Sequence, residues 1–191
     1  AVYCLSCSEE AHELMSQAFG EFANQRNNTQ VPNSKIFFLG RENFPKTFGA
    51  KEYKLEEAQI LASQLRDKNV TLVTCGSLVS QALKVAEILQ QKNIGCEVVN
   101  LHSLSHIDVA TIQQSLEKTK GNLLTLEDHQ KIGGMSQMLI SALAEKNVSF
   151  QVRIHAVDRH FGQSAYLAEE LYKKHHLDAL SVVESAMQLL N

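Results

Sequence analysis

The chain has 191 residues, 44% of them apolar and 20% charged, enough for one good core or two modest ones and too apolar for disorder. Its net charge of -3 excludes a general attraction to nucleic acid or acidic membranes, and no apolar run approaches the roughly 20 residues that span a bilayer. Four cysteines in a chain of this length form no disulfide framework, so a reducing, cytoplasmic setting is expected.

Taken in order, Val2 to Leu5 reads as a short strand. No basic stretch precedes an apolar core there, so no signal peptide is expected, and the strand reads as already under way, as in a chain cut from something larger. A helix starting at Cys7 or Ser8 follows, with Glu9 and Glu10 opposing the positive end of its dipole. Leu14, Met15, Ala18, Phe19 and Phe22 give that helix its expected buried stripe. A polar loop over 27–34 breaks the chain before Lys35-Ile36-Phe37-Phe38-Leu39, which reads as a compact buried strand ended by Gly40-Arg41. Residues 42–53 lack periodicity, and Pro45 with Gly49 suggests an extended linker.

Lys54 to Gln64 is ambiguous between a helix and an edge strand; propensity favours the helix. The centre of the chain is a strand–helix–strand unit. Val70 to Cys75 is apolar, Gly76-Ser77 turns the chain, and Leu78, Val79, Ala82, Leu83, Ala86 and Leu89 recur at helical spacing. Cys96 to Leu101 closes the unit. Parallel strands joined this way need a crossover helix and cover on both faces. Asp108 is the expected N-cap of the next helix, over Val109, Ile112 and Leu116. A strand at Asn122–Leu126, a helix at Met135–Leu143, a strand at Phe150–Val157 and two helices, Tyr166–Lys173 and Leu180–Leu190 behind an Asp178 cap, complete the reading. The alternating order predicts a three-layer α/β/α sandwich with a mostly parallel sheet.

Four groups of residues carry possible chemistry. Cys4-Leu5-Ser6-Cys7 lies between strand and helix, where a redox pair would sit, and a redox role predicts a reversible Cys4–Cys7 disulfide. No proline follows the pair and the strand order is wrong for a thioredoxin-like fold, which favours one edge cysteine and one buried one. His102, His106, His129, His155, His160, His175 and His176 show no metal-ligand spacing, so no metal site is expected. Glu127-Asp128-His129, followed by Gly133-Gly134, stands at a strand end where α/β proteins place sites. The plainer account is a turn whose carboxylates satisfy the start of the next helix. Arg41 follows a strand, where a guanidinium grips a phosphate or simply pairs with Glu42.

Several of these stretches together resemble the C-terminal part of transketolase. Leu123 to His129 with Gly133-Gly134 resembles that family's strand–acidic–histidine–glycine turn. Asp158-Arg159-His160-Phe161-Gly162-Gln163-Ser164-Ala165, then Leu171-Tyr172 and the last helix, resembles its C-terminal end. Phe38-Leu39-Gly40-Arg41-Glu42-Asn43-Phe44-Pro45 is similar to the end of the family's pyrimidine-binding domain, where the arginine holds the substrate phosphate. The chain has His106 where the family often has a proline before the capping aspartate.

The resemblance implies residues 1–52 as the end of a pyrimidine-binding-type domain with its linker, and residues 53–191 as a C-terminal-type domain. It implies a parent enzyme that transfers two-carbon ketol units between sugar phosphates, using thiamine diphosphate and Mg2+. Within this chain it implies Arg41 as a phosphate contact and no catalytic residue. The matched stretches lack the family's cofactor-binding segments, so this chain alone is expected to bind no thiamine diphosphate and to be inactive. The expected partners are the rest of a transketolase polypeptide or a second subunit, in a homodimer. Alternatives are a freestanding dimerisation or regulatory module, or the same domain from deoxyxylulose-phosphate synthase or a 2-oxoacid dehydrogenase beta subunit. Phe19, Phe22, Phe37 and Phe38 are expected to lack cover in a part-domain, and to repack or drive self-association.

Overall fold

A computed structural model describes residues 1–40, 45–50 and 52–191. The central unit forms as its pattern predicts. Strand β4 (Asn69–Thr74) and strand β5 (Gly95–Asn100) are buried at every position and run parallel, joined by helix α2 (Val79–Gln91). Helix α3 (Val109–Lys118) leads to strand β6 (Asn122–Gln130), helix α4 (Met135–Glu145) to strand β7 (Gln151–Val157), and helices α5 (Ala168–Lys174) and α6 (Ala179–Leu189) end the chain. Asp108 caps α3 by accepting from the Thr111 N–H at 3.1 Å, and Asp178 caps α6 by accepting from Leu180 and Ser181.

The sheet order is β3-β5-β4-β6-β7, where β3 is Gln59–Gln64. Alternation along β4 assigns the two faces. Val70 and Leu72 pack under α2 and α6 with Ala82, Val85, Val182 and Ala186. Val73 faces the opposite layer with Ile112, Leu116, Leu139 and Leu143. On that same face the Thr71 hydroxyl lies 2.8 Å from both Ser115 and Thr119, so the buried hydroxyls satisfy one another. Helices on both faces of a mostly parallel sheet make the expected three-layer sandwich.

Strand β3 corrects the helix expected over 54–64. It pairs antiparallel with β5, Ser63 opposite Glu97, with a register irregularity between Ile60 and Ala62. Leu, Ala and Gln favour a helix locally, but the free edge of β5 offers a ladder of backbone partners, and that tertiary pairing outweighs a weak propensity.

The first 40 residues form a smaller unit. Strand β1 (Val2–Leu5), helix α1 (Ser8–Asn27) and strand β2 (Ile36–Leu39) make one βαβ turn with β1 and β2 parallel. The other edge of β1 meets the segment after β5, through Cys4 N–H to the His102 carbonyl at 2.8 Å and Leu104 N–H to the Val2 carbonyl at 2.9 Å. Two expectations fail here. Of the α1 stripe, Leu14 and Ala18 are buried, whereas Phe19 is 71% and Phe22 46% exposed. Strand β2 is not buried either, with Phe38 57% exposed. Two strands are too narrow to cover a 20-residue helix, and nothing pairs with the outer edge of β2 among the described residues. Phe37 alone finds cover, stacked on Tyr3 with ring centroids 5.1 Å apart.

Candidate functional site

The two units meet at the carboxyl ends of the parallel strands. From β4 the chain crosses to β5 on one side, and from β5 it returns to β6 on the other, so β4 and β6 flank the point where strand order reverses. Open α/β sheets bind their ligands at such a point. Here a cavity of about 600 Å³ lies between β1, β2, the ends of β4 and β6, the start of α4, and Tyr172 of α5. Its walls are largely apolar, and Ser77, Ser105, Glu127, Asp128, His129 and Tyr172 supply polar groups.

Each polar group has a structural cause. Gly76 has φ +60°, and a Cβ there would come within 2.6 Å of Cys4 Sγ, so this turn needs glycine twice over. The turn places Ser77 in the same cavity wall as Asp128. Asp128 and His129 are exposed at the rim of the cavity, yet desolvation by the surrounding walls still holds the Asp128 carboxyl above the usual range, partly offset by its hydrogen bonds and the neighbouring His129. Glu127 is buried and fully committed: its two oxygens accept from the N–H groups of Met135 at 2.6 Å and Ser136 at 3.0 Å. It therefore caps α4 from the preceding strand. Gly134 permits the approach, because a Cβ there would fall on the Glu127 carboxylate. Of the two accounts of the Glu127-Asp128-His129 turn, the geometry selects the capping one for Glu127.

The cysteine pair does not form the unit that a redox motif needs. Cys7 is buried at the N-cap of α1, accepting from the Glu10 N–H, with its sulfur 3.4 Å from the Tyr53 hydroxyl. Cys4 points the other way, to the cavity and to Cys75. Its hydrogen bond to Cys75, together with burial, holds the Cys75 thiol well above its ordinary range. Burial likewise pushes the Cys96 thiol up to about 12, and all four cysteines are free. Arg41 lies outside the described residues, immediately after Gly40 in the cavity wall. Of the histidines, His155 is buried, its Nδ1 2.8 Å from the His176 carbonyl, and the His160 and His175 rings meet at a tilt with centroids 5.4 Å apart. Among the described residues no three His, Cys, Asp or Glu side chains are placed to hold a metal ion, and no helix is long and apolar enough to cross a membrane.

Sequence reasoning missed the polar joint behind the cavity. Glu10, read from the sequence only as a carboxylate opposing the α1 dipole, is fully buried. One oxygen accepts from Ser6 N–H at 2.6 Å and Ser6 Oγ at 2.7 Å; the other accepts from Asn100 Nδ2 at 2.6 Å and lies 3.4 Å from His102 Nδ1. His102 Nε2 reaches the Lys54 carbonyl at 2.8 Å. One carboxylate thus joins α1, the end of β5 and the linker. The only sequence signal was a polar Asn100 closing an apolar strand.

Residues 58–182 match the family described as transketolase, C-terminal domain. Mouse transketolase-like protein 2 is 29% identical over 118 residues, 62% of this chain and 17% of that protein. The pyruvate dehydrogenase E1 component subunit beta of Bacillus subtilis (strain 168) is 28% identical over 162 residues, 83% of this chain and 47% of that one. A solved structure described as a split gene transketolase, inactive beta4 tetramer, superposes with a TM-score of 0.77 and 25% identity, covering 99% of this chain and 57% of that one. The chain thus spans less than half the length of these two curated relatives.

Proposed function

Because the chain belongs to the transketolase C-terminal domain family, we propose that it is the C-terminal region of a transketolase-type enzyme moving two-carbon ketol units between sugar phosphates. Residues 1–52 would then close the pyrimidine-binding-type domain, residues 53–191 would form the C-terminal domain, and Arg41 would hold the sugar phosphate as a bidentate clamp. The observation that carries this reading is the likeness to the split-gene transketolase along 99% of the chain, first unit included.

Thiamine diphosphate and Mg2+ are the group that the family implies, serving as the carbanion-stabilising cofactor. The described residues do not fit a diphosphate–Mg2+ group: no metal-ligating cluster is present among them, and Glu127 already occupies the α4 N-terminus where an anion would sit. What this chain supplies is packing, a subunit contact in a homodimer and the Arg41 contact. The β2 edge, which has no strand partner among the described residues, and the exposed aromatic face of α1 fit a surface completed by the rest of the enzyme.

The test is ketol transfer by the complete native polypeptide, with and without thiamine diphosphate. Arg41→Ala is expected to raise KM for the phosphorylated sugar about tenfold or more, with little change for an unphosphorylated analogue. An equal effect on both substrates would remove Arg41 from the phosphate site. For the 191 residues alone, no heat is expected on titration with cofactor and Mg2+, and measurable heat would overturn their assignment as a non-binding part. A second reading has its own observation, since identity to the pyruvate dehydrogenase beta subunit extends over 83% of the chain. Turnover of a 2-oxoacid in place of a ketose phosphate would select it.

A further inference from the structure

Strand β1 divides its side chains between two cores. Tyr3 and Leu5 pack in the first unit, where Cys7 joins them, while Cys4 packs on the sandwich cluster that contains Cys75. Alternation along one strand thus carries the Cys4 thiol across the joint, away from its sequence neighbour Cys7 and towards a cysteine of the other unit. Cys4 and Cys75 both line the cavity. Cys4 Sγ lies so close to the turn after Cys75 that a Cβ on Gly76 would come within 2.6 Å of it, and the hydrogen bond between the two thiols spans the same gap.

The four thiols differ in access. Cys7, Cys75 and Cys96 are buried, whereas Cys4 is partly exposed in the cavity wall. Oxidation follows access, so a small oxidant meets Cys4 first. The thiol beside the oxidised sulfur is then Cys75. Cys7 is turned the other way, engaged with the Glu10 N–H and the Tyr53 hydroxyl, and Cys96 belongs to the cluster on the opposite face of the sheet.

We propose that Cys4 and Cys75 form a reversible, peroxide-driven disulfide that locks the first unit onto the sandwich. The Cys4 thiolate attacks one oxygen of hydrogen peroxide, the O–O bond breaks, and Cys4 becomes a sulfenic acid as hydroxide leaves. The Cys75 sulfur then attacks the sulfenic sulfur. The S–S bond forms, the S–O bond breaks, and the departing hydroxyl carries off the Cys75 proton as water. Two thiols and one peroxide thus give one disulfide and two waters, and a dithiol reductant reverses the bond by exchange. The closed loop holds α1, β2, β3 and β4, so the parted arrangement of the two units is no longer reachable. The proposal uses neither ketol transfer nor Arg41, so it stands or falls apart from them.

Trypsin gives a direct readout, because cleavage places Cys4 and Cys7 together on residues 1–26, Cys75 on 69–84 and Cys96 on 93–118. The full, folded chain is treated with hydrogen peroxide, the remaining thiols are alkylated, and the digest is weighed with and without reductant. A cross-linked pair of 1–26 with 69–84 is expected, lost on reduction and carrying an alkylated Cys7. It is expected to persist in Cys7→Ser and to be absent from Cys4→Ser and Cys75→Ala. Hydrogen exchange in β1 and β2 of the oxidised chain is expected to slow about tenfold or more, with β6 and β7 unchanged. Should Cys75→Ala fail to fold, the fragment ions of the cross-linked pair from the unaltered chain decide, since Leu5 and Ser6 separate Cys4 from Cys7. Three results would each overturn the proposal: peptide 1–26 lighter by two hydrogens with no cross-link, which is a Cys4–Cys7 bridge; Cys4 driven on to sulfinic acid with Cys75 still open to alkylation after unfolding; or a cross-linked chain whose β1 exchange is unchanged.

Discussion

The five-stranded sandwich and the two-stranded unit before it are built from the same strand–helix–strand grammar, yet they are held in opposite ways. In the sandwich every residue of β4 and β5 is buried, and helices on both faces supply apolar cover. In the first unit β2 is half open, α1 shows two phenylalanines to solvent, and the tie to the sandwich is largely polar, with the buried Glu10 carboxylate at its centre and the backbone bonds of β1 beside it. Apolar burial is spread over many contacts and degrades gradually. A polar joint with one centre fails all at once when that centre is removed, because its partners stay buried without theirs.

Four experiments bear on this contrast. The largest effect belongs to Leu72→Ala in the sandwich, expected to cost about 2–5 kcal/mol of global stability in urea unfolding, the range for a fully buried leucine. A value near zero would mean that the sandwich core is as loosely held as the first unit. Next comes Glu10→Gln, which leaves His102 facing an amide and places an NH2 beside Ser6 or Asn100; a loss of about 2–3 kcal/mol is expected. Its location matters more than its size. Hydrogen exchange should accelerate in β1 and β2 while β4 and β6 stay protected, and uniform loss across the chain would break the comparison.

A smaller effect follows from pH. Burial depresses the basicity of His155 below the usual histidine value, partly opposed by its bond to the His176 carbonyl. The unfolded chain then binds the proton more readily than the folded one. Stability is fully present above the unfolded value near 6.5 and declines as pH falls below it towards the lower folded value. Urea midpoints at pH 7.5, 6.5 and 5.5, taken as about one unit above, at and below that value, should fall in that order, and the decline should vanish in His155→Gln. The smallest effect on stability is expected from Phe19→Ser with Phe38→Ser, within about 0.5 kcal/mol, since both rings are exposed. Self-association measured by sedimentation should nonetheless drop, and an unchanged association constant would place the sticky surface elsewhere.

The sandwich was legible because its cause is local and repeated. Helical spacing in α2, the caps Asp108 and Asp178, and the buried strands Val70–Cys75 and Cys96–Leu101 all state one pattern, and the structure follows it. Strand β3 was not legible, since its six residues follow the vacant edge of β5 and not their own preference. The exposed phenylalanines were misread for a related reason: spacing names the face of a helix that wants cover, but not whether cover exists. At the cavity, the glycines and acids of the Glu127–Gly134 turn were visible, and so was the capping account of them. Glu10 was invisible as a joint because its partners Asn100 and His102 lie 90 or more positions away.

The cavity has walls from both units: β1 and β2 on one side, β4, β6 and α4 on the other. It is therefore a volume that exists only while the units are together, and whatever occupies it acts as glue. Each tenfold of concentration above its dissociation constant adds about 1.4 kcal/mol to the docked arrangement and nothing to the parted one. The exchange runs both ways. A change at Glu10 that populates the parted state lowers the apparent affinity of an occupant by the docked fraction lost, although Glu10 does not line the cavity.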